Sequence, residues 1–113
     1  MDALSLQALA EEQLDAARGA HAGRAAHTIY GGHENKLRQT VIALAEGNRL
    51  DDHESNGEST LLVLTGRVRI ATSADGSDGV ECAANDYVVL PLERHNLAAL
   101  EDSVVLMTVV VGV

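Results

Sequence analysis

The stretch "GNRLDDHESNGESTLLVLTG", residues 47–66, decides the reading of the fold. A glycine stands at each end, "SNG" at 55–57 interrupts the middle, and "TLLVLT" at 60–65 has the aliphatic, β-branched character of a buried strand. The outline is that of two strands joined by a turn. His53 closes the first half, and serines follow at 55 and 59. One imidazole and two hydroxyls within so short a span raise the question of a site, and of whether that site holds a metal.

Outward from this stretch the chain continues as short β-rich runs broken by turn residues. "RAAHTIY" (24–30) ends at Gly31-Gly32, and "LRQTVIALA" (37–45) ends just before Gly47. "RVRIATS" (67–73) leads into the glycine-rich "ADGSDG". "GVECAA" (79–84) turns through Asn85-Asp86 into "YVVL" (87–90), which Pro91 stops. "HNLAAL" (95–100) passes through Glu101-Asp102 into "SVVLMTVVV" (103–111). Strands at this spacing, with no repeat or low-complexity linker between them, predict an all-β barrel or sandwich. The exception is residues 5–18, "SLQALAEEQLDAAR". There Leu6, Leu9, Ala10, Leu14 and Ala17 share a helical face, Ser5 can cap the first amides, and Gly19 is a natural stop. The expected organisation is a helix and linker over 1–23 and one β-domain over 24–113.

Composition narrows the function. The chain has 113 residues, 46% of them apolar, enough to bury roughly two-thirds of the unfolded surface in one core. That core is aliphatic, since Tyr30 and Tyr87 are the only aromatic residues. An aromatic cage or a ring platform for stacking bases is therefore not expected. Eight basic residues against seventeen acidic ones give a formal charge of −9, a field that repels nucleic acid and anionic membranes. Arg67 and Arg69 are the nearest thing to a basic patch, and alternate strand residues of this kind normally form a solvated face. Cys82 is the lone cysteine and is expected to be a small buried strand residue rather than a reactive thiol. The acidic start "MDALSLQALAEEQ" lacks the features of a signal peptide, and the apolar end at 104–113 is about half of a membrane span. The expectation is a cytoplasmic protein without membrane or nucleic-acid partners.

The order of turns and glycines resembles the cupin family, small β-barrels of the jelly-roll (double-stranded β-helix) type. The first cupin motif runs Gly, five residues, His, one, His, three or four, Glu, six, Gly. Gly47, His53 and Gly66 match it, while Ser55 falls on the second histidine and Ser59 on the glutamate. In the second motif Pro91 matches, and His95 follows it one residue early, as after a one-residue deletion. Asn85, Glu93 and Ala99 replace its two glycines and final asparagine. The resemblance covers residues 37–111. It implies a jelly-roll barrel with a short N-terminal helix, an interior site and a homodimer.

In a cupin the metal is held by three histidines and a glutamate. Here His53 and His95 remain, and a serine hydroxyl stays protonated near neutral pH and brings no charge to offset a cation. A carboxylate could complete a two-histidine triad for Fe, Mn, Zn or Ni. Glu54 and Glu58 each lie one residue from a motif position, which in a regular strand is the opposite face. The turn at 55–57 relaxes that alternation and makes Glu58 the better candidate. Without metal, His53, Ser55, Ser59 and His95 form a polar cluster in an aliphatic barrel. Such a cluster is suited to orienting a small ligand or moving a proton, or serves only to satisfy itself and a trapped water. The strand at 37–45 brings either Arg38, suited to a carboxylate or phosphate, or Gln39, suited to a neutral group; both of its faces carry apolar residues, and both options stand. His21, His27 and His33 lack ligand spacing and are expected to be ordinary polar residues.

Three functions remain. They are a stand-alone barrel binding a small molecule without a complete metal site, a metal-dependent oxygenase or isomerase using His53, His95 and Glu58, and a structural dimerisation module with a filled barrel. The doubly apolar "VVLMTVVVGV" is expected to be covered on one side by the core and on the other by the N-terminal segment or a partner subunit.

Overall fold

The computed structural model describes residues 1–53 and 57–112, with the backbone alone described for Asp52 and His53. One helix precedes nine strands: α1 (Leu6–Gly19), β1 (Arg24–Tyr30), β2 (Leu37–Leu44), β3 (Arg49–His53), β4 (Glu58–Thr65), β5 (Arg67–Ala71), β6 (Val80–Ala83), β7 (Tyr87–Val89), β8 (His95–Ala99) and β9 (Ser103–Val110). Ser5 caps α1 by accepting from the Ala8 amide at 3.1 Å. Eight strands coincide with the runs read above. The ninth, β3, is the first strand of the pair read in 47–66, and its sequence "RLDDH" carries a single aliphatic residue.

The strands form two antiparallel sheets, ordered β1-β2-β9-β4-β7 and β3-β8-β5-β6. Among the described residues no hydrogen-bonded seam closes them into a continuous barrel. The architecture is the expected all-β jelly-roll, as two facing sheets.

Side-chain alternation assigns each face. Ile42 and Leu44 of β2, Leu61 and Val63 of β4, and Val105 and Met107 of β9 meet Val68 and Ile70 of β5 and Leu97 and Ala99 of β8 in the core between the sheets. The opposite face of the larger sheet, with Val41, Ala43, Val104 and Leu106, packs on Leu9, Ala10, Leu14 and Ala17 of α1. The helix buries the face its spacing predicts. It also explains the doubly apolar last strand: β9 lies between the inter-sheet core and the protein's own helix.

The connections define two ends. At the base, Gly66 turns β4 directly into β5, and the buried hydroxyl of Ser103 accepts from the Arg67 amide and lies 2.7 Å from the Glu101 carbonyl, to which it donates. Asp102 accepts from the Glu46 amide and from Arg18 Nε, both at 2.8 Å, which ties the end of α1 to this base. Both interactions hold its carboxyl below the usual carboxylate range, the Glu46 amide contributing most. At the other end, the mouth, lie the segments 31–36, 72–79 and 90–94. The last of these, 90–94, crosses between the sheets.

Candidate functional site

The mouth collects the polar residues that face inward. On β4, Ser59 alternates with the core residues Leu61 and Val63, and it is 5% exposed. On β8, His95 alternates with Leu97 and Ala99 and is 3% exposed. Both polar side chains thus stand on the inner faces of the two sheets, at the end where the chain crosses from β3 to β4 and from β7 to β8. In backbone register His53 is paired with His95 across β3 and β8.

The His95 ring is oriented by its own chain. Its Nδ1 lies 3.0 Å from the carbonyl oxygen of Glu93. A carbonyl oxygen only accepts, so Nδ1 carries the proton and donates. In the neutral ring the lone pair is then on Nε2, the arrangement in which an imidazole serves as acceptor, base or ligand. The neighbouring Asn96 points the other way and donates to the Ser73 carbonyl at 2.9 Å, fastening β8 to the 72–79 loop.

That loop is organised around Asp78. Its carboxylate accepts from the Thr72 and Ser73 amides at 3.1 and 3.0 Å, from Ser73 Oγ at 2.7 Å, and from the Thr72 hydroxyl. The Thr72 hydroxyl first, then the Ser73 hydroxyl and amide, hold Asp78 far below the usual carboxylate range.

On β2, Arg38 and Gln39 stand on opposite faces. Arg38 alternates with Thr40, Ile42 and Leu44 and so belongs to the inner face. Gln39 alternates with Val41 and Ala43 on the helix side and donates to Thr108 Oγ1 at 3.2 Å, so it is not brought to the interior. Arg38 lines a pocket of about 250 Å³ with Thr28, Thr40, His33 and the Gly31-Gly32 turn. His33, expected to be an ordinary polar residue, is therefore part of a concave surface, a role that its position in the sequence did not signal.

Glu58 departs from expectation. It opens β4 in regular register with Val110, is exposed, and stands on the face alternate to Ser59. Ordinary strand alternation applies from Glu58 onward, and its side chain is exposed. Glu54 and Ser55 lie outside the described residues. Among the described residues no three histidine, cysteine, aspartate or glutamate side chains converge in a geometry fit for a metal. With a hydroxyl at Ser59 and Glu58 turned outward, the described donors do not fit the three-histidine, one-glutamate set.

Cys82 is buried in the inter-sheet core opposite Val68. Burial, with a smaller contribution from Asp86, pushes its thiol up. Both observations suit a packing residue rather than a nucleophile.

No protein-family model and no curated protein sequence matches the chain. Solved structures do. A cupin superfamily protein from Desulfitobacterium hafniense superposes with a TM-score of 0.69 at 14% identity, over 79% of this chain and 78% of that one. An RmlC-like cupin protein from Desulfovibrio desulfuricans gives 0.66 at 21% identity, over 77% and 81%. The salicylate 1,2-dioxygenase of Pseudoaminobacter salicylatoxidans, solved in complex with gentisate, gives 0.74 at 14% identity over 94% of this chain, which spans 32% of that longer one.

Proposed function

With the cupin fold as premise, we propose that this protein binds a small molecule at the mouth of the jelly-roll, between its two sheets, without relying on a complete three-histidine, one-glutamate metal site. The observation that carries the reading is the placement of Ser59 and His95. Two polar side chains, each at least nine-tenths buried, stand on facing apolar sheets at the end of the sandwich where the loops 72–79 and 90–94 lie. Apolar walls supply burial, and Ser59 Oγ and His95 Nε2 supply orientation. The pocket includes Arg38 and, by its register with His95, His53; Ser55 is proposed with them.

A thermal-shift screen of small organic molecules tests this. A ligand at one hundred times its Kd stabilises the native state by about 2.7 kcal/mol, or roughly 10 °C for a domain of this size. The shift should shrink in Ser59→Ala and His95→Gln. A screen without any stabilising compound, together with a sandwich filled by its own side chains, would instead favour the structural dimerisation module.

A second reading, a metal-dependent oxygenase or isomerase, draws on the two imidazoles of His95 and His53, which are in backbone register. It requires Glu58 to leave its exposed position. Stoichiometric Fe, Mn, Zn or Ni in protein purified without an affinity tag, lost in His53→Ala, would favour it over the first. We also propose a homodimer. Because α1 already covers the outer face of β9, a partner would have to use other apolar surface, such as the exposed Tyr87, Val89 and Leu92. Sedimentation showing only monomer at micromolar concentration would remove it.

A further inference from the structure

Arg38 is a half-buried cation that, among the described residues, is joined to no carboxylate. Its position is built. Nε donates to the Asn35 carbonyl at 3.4 Å, which fixes the plane of the guanidinium and leaves the two terminal nitrogens. Gly31, at φ 118°, lies over the Arg38 stem so closely that a Cβ there would fall 2.9 Å from Arg38 Cγ. In the same pocket, the hydroxyls of Thr28 and Thr40 face each other at 3.5 Å across β1 and β2. A fork of donors beside two hydroxyls is a receptor for an oxyanion.

The sheet register relates this pocket to the interior. Arg38 pairs with Val109, and Val109 pairs with Ser59, so the three share one inward-facing row. Two strand spacings separate Arg38 from Ser59, roughly 10 Å between their backbones. A molecule of a few carbons, helped by the length of the arginine side chain, bridges that distance. Charge then selects the anion. The cost of leaving water grows with about the square of the charge, so in this half-buried pocket a dianion such as phosphate loses about four times the hydration of a monoanion while its attraction to the one guanidinium only doubles.

Resting on the interior-binding reading and naming its ligand class, we infer that the ligand is a small monocarboxylate, its carboxylate held by Arg38 with Thr28 and Thr40 while its body runs over Val109 towards Ser59. Arg38 would thus set the specificity of the site, and the buried polar groups would read the other end of the molecule.

Titration of the ¹⁵N-labelled protein with sodium acetate, acetamide and inorganic phosphate at matched ionic strength tests this. Acetate is expected to move the amides of Gly31, Arg38 and Thr40 saturably, with acetamide and phosphate at least tenfold weaker. Arg38→Gln, with the spectrum of the folded protein retained, should weaken acetate tenfold or more, and Thr40→Val severalfold. Equal binding of acetamide, tighter binding of phosphate, or unchanged acetate binding in Arg38→Gln would overturn the inference; the wild-type comparison decides even where a variant fails to fold. The two readings separate by location. A neutral compound found by thermal shift that moves the amides of Ser59 and His95, while acetate leaves 31–40 unmoved, sinks the carboxylate inference and leaves interior binding intact. Longer monocarboxylates that move 31–40 but never Ser59 and His95 sink the interior reading.

Discussion

Gly47 and Gly66 bracket the stretch that reveals the fold, and replacing each by alanine should give very different results. Both have positive φ, 85° and 83°, so either substitution incurs the left-handed backbone penalty of about 1–2 kcal/mol, partly offset by the lower entropy of the unfolded chain. The space around them differs. Nothing lies within 4 Å of a Cβ built on Gly47, whereas one on Gly66 overlaps the backbone oxygen of Asp102 and the hydroxyl of Ser103. A backbone carbonyl cannot rotate away as a side chain does, so the base must open. That adds about 1–3 kcal/mol of overpacking and about 1 kcal/mol from the strained Ser103–Arg67 hydrogen bond. Gly47→Ala is therefore expected to cost about 1 kcal/mol and Gly66→Ala about 3–5 kcal/mol, a large share of the 5–15 kcal/mol typical of a domain. Urea denaturation followed by far-ultraviolet circular dichroism measures both, and with equal m-values the midpoint shift of Gly66→Ala should be about three to five times that of Gly47→Ala. Equal shifts, or a greater effect at Gly47, would refute the close packing assigned to the base of the sandwich.

Other consequences are simpler to state. Leu14→Ala should cost about 2–4 kcal/mol by urea denaturation, because Leu14 is buried between α1 and the larger sheet; a loss below about 1 kcal/mol would mean that the helix is not docked. The 72–79 loop should loosen only in acid. Asp78 has a folded-state value depressed below its unfolded one, so its contribution is present above the ordinary carboxylate range and is lost as pH falls through the folded value. Thr72 and Ser73 amide shifts that titrate near pH 4 or above would contradict that network. Cys82 should resist thiol reagents at pH 8 until the protein is unfolded by denaturant, and rapid labelling of native protein would contradict its burial.

Much of the fold was legible because aliphatic runs and turn residues alternate cleanly, and the face of α1 follows directly from the spacing of Leu6, Leu9, Ala10, Leu14 and Ala17. The strand β3 was harder to see. It lies at the edge of the smaller sheet, where Arg49 and Asp51 can remain exposed, so apolar alternation is not demanded of it. Closure was not legible at all, because hydrogen bonds between sheet edges leave no trace in side-chain pattern. At the site, Ser59 could be placed by its alternation with Leu61 and Val63. Arg38 and Gln39 could not be separated, since α1 makes the second face of β2 as apolar as the first. The face of Glu58 could not be read either, because "SNGES" does not mark that β4 begins at Glu58.

The central claim concerns what lies between His95 and Ser59 at the mouth, and a crystal structure grown with a stabilising compound from the thermal-shift screen tests it most directly. Organic density contacting His95 Nε2 and Ser59 Oγ, with any carboxylate turned to Arg38, is the result this account predicts. A compound bound elsewhere, with His95 and Ser59 sealed beneath packed aliphatic side chains, would contradict it.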